Sequence, residues 1–409
     1  MNEQFFCGLD LGASTLKAGI LKVSHGNHFD LIDAYEVETV GFKEGTVYDL
    51  GEFSEAVYQS LNTMFKRSHV GLRDVQVGIS GEYLQSRLAS TMIPLTDKGS
   101  KVITTRDLDK VNKHNRLLSL KMDDEILHEI LHYYQVNDDN PSINPLGLYG
   151  RKLGVESLLI MTEVNRIRNL TRAVHEAGYD VNNIFFDSYA AAKVVLTEEQ
   201  KQQGCFFVDM GAQATSLLIF QQGVLKSFIK ILIGGNHFTK SISHKLGLSF
   251  ELAEQIKKSY ALAVSSQPHL EEEILIKREN AYIPIKRSAI YEAIEPEIMS
   301  LMEQIQSVIV TSGYQEKIKN KLIIVGGASL LSGLIERMGQ EMAYKVELGK
   351  IRVSLRKNVG DVSSFSGVVG LAFAGYEKSL GVKAFLKNNK LNLRQKFFMK
   401  LKELYEDYF

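Results

Sequence analysis

The sequence predicts an α/β protein of two related halves around a ligand cleft, on three observations. One short motif occurs twice, about 200 residues apart: Leu9-Asp10-Leu11-Gly12-Ala13-Ser14-Thr15 and Val208-Asp209-Met210-Gly211-Ala212-Gln213-Ala214-Thr215. Each copy follows an apolar run, Phe5-Phe6-Cys7 or Cys205-Phe206-Phe207, and leads into another, which reads as strand, tight Asp-x-Gly turn, strand. Glycine turns recur after buried strands at Gly234-Gly235 and Gly326-Gly327. Strand-rich stretches also alternate with helical ones, which argues for α/β or α+β architecture.

Composition sets the outer bounds. A chain of 409 residues, 44% hydrophobic and 23% charged, is long enough for two or more domains and a large core. Lys+Arg and Asp+Glu are both 48, so no global charge draws the chain to nucleic acid, and any electrostatic partner needs a local patch. The two cysteines, Cys7 and Cys205, read as small core residues in a reducing compartment. No apolar run reaches the roughly 18 residues of a spanning helix, and the first four residues lack a basic region, so no signal peptide and a cytoplasmic body are expected.

The elements follow in order. Residues 5–24 read as a hairpin and 28–40 as a further strand. Phe53, Val57, Leu61 and Phe65 give 49–66 helical spacing, and 75–80 is a strand ending at Gly81. Residues 83–163 behave differently. A charged helix at 106–120, alternating histidines and apolar residues at 125–134, a polar loop at 137–145 and a strand at 156–162 read as an inserted α+β subdomain. A helix at 163–177 ends before Gly178; a strand at 184–186 and an alanine-rich helix at 188–197 follow. The second hairpin, 205–220, extends through 224–233, and Gly234-Gly235-Asn236 turns the chain into a helix at 237–246. Ser249 is the expected N-cap of the next helix. A long helix at 290–311 carries Pro296, and a strand at 322–325 runs into Gly326-Gly327-Ala328-Ser329 and another helix. The body is expected to end near 373–376.

Two Asp-x-Gly hairpins facing each other can hold a polyphosphate. Small residues let backbone N–H groups approach phosphate oxygens, and each aspartate can hold a metal through water. The motif set resembles the actin-like ATPase superfamily: Asp10–Lys17 matches its phosphate-1 motif, 187–192 its connecting motif, Asp209–Thr215 its phosphate-2 motif and 325–329 its adenosine motif. Within it the chain resembles the FtsA family of bacterial cell-division proteins. Gly78-Ile79-Ser80-Gly81 leads into an insert, Asn144-Pro145-Leu146-Gly147-Leu148-Tyr149-Gly150-Arg151-Lys152-Leu153 matches a family signature, and Ala253-Glu254-Gln255-Ile256-Lys257 matches the helix at the ribose and base.

The resemblance implies an actin-like fold with an FtsA-type insert and a C-terminal amphipathic helix. Subdomain 1A would comprise 1–82, 164–203 and the return at 360–377, with the insert, 1C, at 83–163; 2A would comprise 204–242 and 305–359, 2B would be 243–304, and a linker at 378–392 would lead to the helix at 393–409. It implies ATP and Mg²⁺ as ligands. Asp10 and Asp209 would hold the metal through waters. Gly12, Ala13, Ser14, Thr15 and Gly211, with Gln213, Ala214 and Thr215 of the second loop, would face the phosphates, and Lys17 would pair with their charge. Asp187 would position the attacking water. Gly234, Gly235 and Asn236 would close the phosphate side; Glu254, Lys257, Gly326, Gly327, Ala328 and Ser329 would surround the nucleoside. Ala212 and Gln213 stand where the superfamily often has glycine, Ala214 replaces a hydroxyl residue, and Asp187 is one methylene shorter than the common Glu. Added Cβ atoms narrow backbone approach, so ATP binding with slow or no hydrolysis is expected.

The tail changes character. From Lys378 to Lys402 there is no acidic residue, and 388–392 reads as a flexible link. Leu393, Phe397, Leu401, Leu404, Tyr405 and Tyr408 define one helical face, widened by Phe398 and Phe409, with Lys396, Lys400, Lys402 and Glu403 around the other side. Such a helix can dock on its own domain, but aromatic residues flanked by lysines suit an anionic bilayer, as FtsA proteins carry at this place. The family resemblance further implies filaments with itself, capture of the C-terminal tail of the tubulin-like FtsZ by 2B, other division proteins on 1C, and a peripheral place at the division site. A PilM-type adaptor of type IV pilus assembly is the alternative, since its phosphate-2 loop can read Asp-x-Gly-Ala. A sugar-kinase-like enzyme would need a catalytic aspartate in a substrate insertion, for which the sequence offers no candidate. His128 and His132 lack a further His or Cys to complete a metal site and read as solvated or partly packed; the charges of 271–279 read as solvated surface.

Overall fold

The computed structural model describes residues 3–24, 28–43, 45–264, 271–278, 281–318, 321–342, 344–355 and 362–388. The chain begins with a meander of β1 (Gln4–Leu11), β2 (Thr15–Ser24) and β3 (His28–Glu38). Short strands β4 (Phe42–Lys43) and β5 (Thr46–Val47) precede α1 (Leu50–Ser68) and β6 (Asp74–Ile79). The insert follows: β7 (Gln85–Pro94), β8 (Lys101–Val102), α2 (Thr105–Ser119), β9 (Asp124–Val136), β10 (Tyr149–Gly150) and β11 (Lys152–Glu163). The chain returns through α3 (Val164–Glu176), β12 (Asp180–Phe186), α4 (Asp187–Val195) and α5 (Glu198–Gln203). A second meander is formed by β13 (Cys205–Met210), β14 (Thr215–Gln221) and β15 (Val224–Ile231). Then come α6 (Gly235–Leu246), α7 (Phe250–Tyr260), the hairpin β16 (Glu273–Arg278) and β17 (Ala281–Lys286), and α8 (Arg287–Thr311). The chain closes with β18 (Lys321–Val325), α9 (Leu334–Glu341), β19 (Lys345–Leu348), β20 (Ser354–Leu355) and α10 (Ser366–Asn388).

The duplication in the sequence is a duplication of topology. The first sheet runs β12-β6-β1-β2-β3-β20 and the second β15-β14-β13-β18-β19. Each is an antiparallel meander whose first strand also pairs in parallel with a later strand, β1 with β6 and β13 with β18. Asp10 stands opposite Gly78 in one parallel pair and Asp209 opposite Val325 in the other. Both carboxylates therefore lie at the carboxyl ends of parallel strands, where ligands bind in open α/β sheets.

Two large cores carry the halves. One gathers the first sheet, α1, α3, α4 and α10 and reaches one face of the second sheet through Phe207, Leu218, Phe220 and Phe228; the other gathers the opposite face of the second sheet with α6, α7, α8 and α9. Helix α10 lies directly on the first hairpin because Gly8 and Gly19, paired across β1 and β2, leave room for it. A Cβ at Gly8 would stand 2.2 Å from the Val368 carbonyl oxygen. The insert has its own smaller cores on a three-stranded antiparallel sheet, β7-β11-β9.

Local signals account for most boundaries. The Asp49 side chain caps α1 by accepting the Glu52 N–H at 2.9 Å, and Ser249 caps α7 through Leu252. Gly178, at φ 87°, follows α3. Three differences from the sequence reading concern period and extent. Strand β7 was not foreseen, and β11 starts four residues before the predicted strand, because both are paired along their whole length within the insert. Helix α10 continues to Asn388, past the 378 boundary of the expected linker: the stretch has no proline, and its one glycine, Gly381, costs a helix only about 1 kcal/mol. His128 and His132 sit on a strand and take the packed alternative: His132 is 5% exposed and His128 is half-buried. Both cysteines are free and buried, and burial raises both thiol pKa values, Cys205 to about 12. The helix expected at 393–409, with its membrane-facing candidates Lys396 to Phe409, lies outside the described residues.

Candidate nucleotide site

The two hairpin turns meet across a cleft of about 740 Å³. Asp10, Gly12, Ala13, Ser14, Thr15 and Lys17 line one wall; Asp209, Gly211, Gln213 and Ala214 line the other, with Asp187 between them. A polar pair joins the walls: the Asn236 amide donates to Ser14 Oγ at 3.1 Å, across 222 residues of sequence. Backbone bonds set Asn236 in place, since its N–H donates to the Ala212 carbonyl at 2.7 Å and the Gly235 N–H to that of Gly211 at 3.0 Å.

The cleft floor is electrostatically loaded. Burial raises Asp10 to about 6, with Lys17 opposing and Asp209 adding to the rise. Burial, then Asp10 and Asp209, push Asp187 well above the usual carboxylate range, although it accepts the Ser188 N–H at 2.5 Å and hydroxyl at 3.1 Å. Asp209 is raised by burial against the help of Ser188 and Lys17. One buried oxygen, Asp10 Oδ1, has no hydrogen-bond partner among the described residues. Three carboxyls facing one ammonium, one of them with an orphaned oxygen, fit a cation in this cleft. Among the described residues no three His, Cys, Asp or Glu side chains are grouped to ligate a metal directly, so such a cation would be held through its waters.

Lys17 is already engaged: its Nζ donates to the Ser364 carbonyl at 2.7 Å and lies 5.4 Å from the Phe365 ring centre. On the side where a nucleoside is expected, Lys257 donates to the Gly235 carbonyl at 2.9 Å and the Thr239 hydroxyl at 2.8 Å, and pairs with Glu254 at 2.6 Å. Burial works against the Glu254 charge, but hydrogen bonds from Lys257 and Thr239 hold its pKa below the ordinary value. Gly235, Asn236, Glu254, Lys257, Gly326, Gly327 and Ala328 complete the lining. Gly326 has φ 93°, and a Cβ there would stand 2.5 Å from Asp209 Oδ1, so this turn requires glycine.

Three named residues do not line the cleft. The Thr215 hydroxyl is fully buried and donates to the Ile233 carbonyl at 2.7 Å. The Ser329 side chain turns inward to the Gly326 carbonyl at 2.7 Å and is 2% exposed. Gly234 is packed on the Gly211 and Ala212 carbonyls. All three shape the turns rather than face the cavity. The second loop is also less strained than its side chains suggest: none of residues 211–214 has a positive φ, so the Cβ atoms of Ala212 and Gln213 adopt ordinary backbone geometry. The reading missed Ser80, Glu82, Ser188, Leu331 and the turn Ser364-Phe365-Ser366-Gly367. That turn enters α10 beside Asp10, 3.3 Å from the place of a Cβ on Gly367. No sequence spacing announces it, because its place depends on α10 crossing the first hairpin.

Comparison with known proteins agrees with this geometry. The model of the family "Cell division protein FtsA" matches residues 206–370, and that of the SHS2 domain inserted in FtsA matches 81–161. The cell division protein FtsA of Pseudomonas aeruginosa is 25% identical over 376 residues, covering 91% of this chain and 89% of that one. That of Bacillus subtilis is 24% identical over 377 residues, covering 91% and 84%. In fold, the chain is similar to a PilM–PilN type IV pilus biogenesis complex (TM-score 0.65, 17% identity, 90% of this chain and 98% of that chain). It is also similar to MreB5 of Spiroplasma citri bound to ADP (TM-score 0.54, 12% identity, 94% and 99%). With an actin-like fold, the inserted domain at the expected place and relatives along nine-tenths of its length, the chain belongs to the FtsA family of cell-division proteins.

Proposed function

We propose that this chain is an ATP-binding, polymerising tether that holds FtsZ filaments to the cytoplasmic face of the membrane at the division site and helps recruit later division proteins. The observation that carries the nucleotide half is the orphaned Asp10 oxygen among three raised carboxyls, in a cleft lined by two duplicated turns. Asp10 and Asp209 would hold Mg²⁺ through its waters, and the bound metal supplies charge neutralisation at the phosphates. Gly12 to Thr15 and Gly211 to Ala214 cradle the phosphates, and Gly326 to Ala328 with Glu254 and Lys257 take the nucleoside. Lys17 turns from Ser364 toward the phosphates. Burial, then Asp10 and Asp209, push the Asp187 pKa up, which works against the carboxylate that would orient a water.

The tether half is supported by family membership and by the basic, aromatic tail. Among the described residues no helix is long and apolar enough to cross a membrane. The 243–304 region would take the FtsZ tail and the insert other division proteins. The likeness to the pilus complex, at 17% identity, speaks for the fold alone. Co-sedimentation with anionic liposomes tests the reading, using the whole chain and one lacking residues 393–409, with and without FtsZ and Mg-ATP. The whole chain is expected to pellet and carry FtsZ with it while the shortened one stays soluble. Equal behaviour of the two would make the tail a docked structural helix.

A further inference from the structure

The two histidines on β9, one buried and one half-buried, reach opposite halves of the molecule. Strand β12 is the edge of the first sheet, so its amides facing away from β6 have no strand partner there. His128 supplies one: its Nε2 accepts the Phe186 N–H at 2.9 Å, one residue before Asp187. The imidazole lies between Phe185 and Tyr189, with ring centres at 5.9 and 5.2 Å. Burial, then Lys193 and Lys378, hold His128 at about 3, so it stays neutral and its Nε2 stays an acceptor. Four residues on, His132 Nε2 lies 3.0 Å from the Leu225 carbonyl on β15, the edge of the second sheet, while its Nδ1 faces Glu156 at 3.3 Å. Here the imidazole donates.

The rest of the insert's inner edge follows the same pattern. Ser86 Oγ donates to the Phe228 carbonyl at 2.9 Å, and Lys230 donates to the Glu82 and Leu84 carbonyls at 3.0 and 3.3 Å. No residue of β9 lines the cleft.

We propose that β9 is a strap across the two halves. His128 acts as a positioning residue for the Asp187 turn, and His132 holds the second sheet to the same strand. A partner that shifts the insert would thereby shift the nucleotide site, and a nucleotide that closes the cleft would be felt in the insert. Only the nucleotide arm of the test rests on the function proposed above.

Hydrogen exchange on the whole protein tests the strap, with Mg²⁺ and a non-hydrolysable ATP analogue as probe. The analogue is expected to slow exchange in residues 10–17 and 205–215, and also to slow residues 124–136 at least threefold. Protection confined to the cleft would overturn the strap while leaving nucleotide binding intact; no protection in the cleft would overturn nucleotide binding instead. Without nucleotide, His128→Phe is expected to speed exchange in 180–192 at least threefold. His128→Gln keeps an acceptor at similar reach and should restore the wild-type rate. His132→Phe should act on 222–231 and leave 180–192 alone. If neither phenylalanine variant changes its segment, or if His128→Gln exchanges as fast as His128→Phe, the strap fails.

Discussion

At the scale of single residues, the cleft is a place where folding works against charge so that a ligand can work with it. Asp10 has its pKa raised from 3.8 to about 6 by burial, so its contribution to stability is present in full below about 3.8 and is lost as pH rises through about 6. Above pH 6 the nucleotide-free protein carries the whole cost of ionising it, which Asp10→Asn removes. Asp10→Asn is therefore expected to stabilise the empty protein at pH 7.5 by roughly 1–3 kcal/mol, an advantage that shrinks to nothing near pH 4. The same variant should weaken Mg-ATP binding at least tenfold. Paired melting curves from pH 4 to 8, and titration with a fluorescent ATP analogue, read both effects; a variant less stable at pH 7.5 would show that Asp10 is held by a stabilising contact instead.

At the scale of elements, legibility followed locality. The Asp-x-Gly hairpins, the cap at Ser249 and the glycine turn at Gly326 were readable because the residues that need one another are close in sequence. The turn at 364–367, the inward rotation of Ser329 and the packing of the β9 histidines were not, because each is set by an element far away in the chain. Helix α10 shows both sides. Its start on the hairpin rests on Gly8, where even a methyl group would meet the Val368 carbonyl, while its extension past 378 was hidden by a glycine and a run of lysines that suit linkers and exposed helices alike. Gly8→Ala is expected to cost about 1–3 kcal/mol, as overpacking does, and to weaken nucleotide binding by moving Gly367 beside Asp10. Gly381 has open space around it, so Gly381→Ala should stabilise by about 0.5–1 kcal/mol if the helix continues there. Urea denaturation separates the two; no gain from Gly381→Ala would return that stretch to the linker.

At the scale of the whole molecule, a duplicated cleft and a terminal amphipathic segment make sense together. One short amphipathic helix binds a bilayer only marginally, since each lysine near an anionic surface adds about 1 kcal/mol and a single face buries little apolar area. Polymerisation, as proposed, would change this without any new lipid contact, because each further helix would bind at the high local concentration set by its neighbours, a gain of roughly 10²–10⁴ in effective affinity. The two halves meet across the cleft at the Ser14–Asn236 pair, so a nucleotide that joins both walls would favour one closed form and with it one filament contact. Binding of the whole chain to anionic vesicles should accordingly rise steeply with protein concentration when Mg-ATP is present and shallowly when it is absent. Asp10→Asn, which should not load Mg-ATP well, should follow the shallow curve under both conditions while keeping its terminal helix. If wild type and Asp10→Asn share one shallow isotherm, the helix acts alone and the cleft does not govern attachment. If they share one steep isotherm, assembly proceeds without the nucleotide.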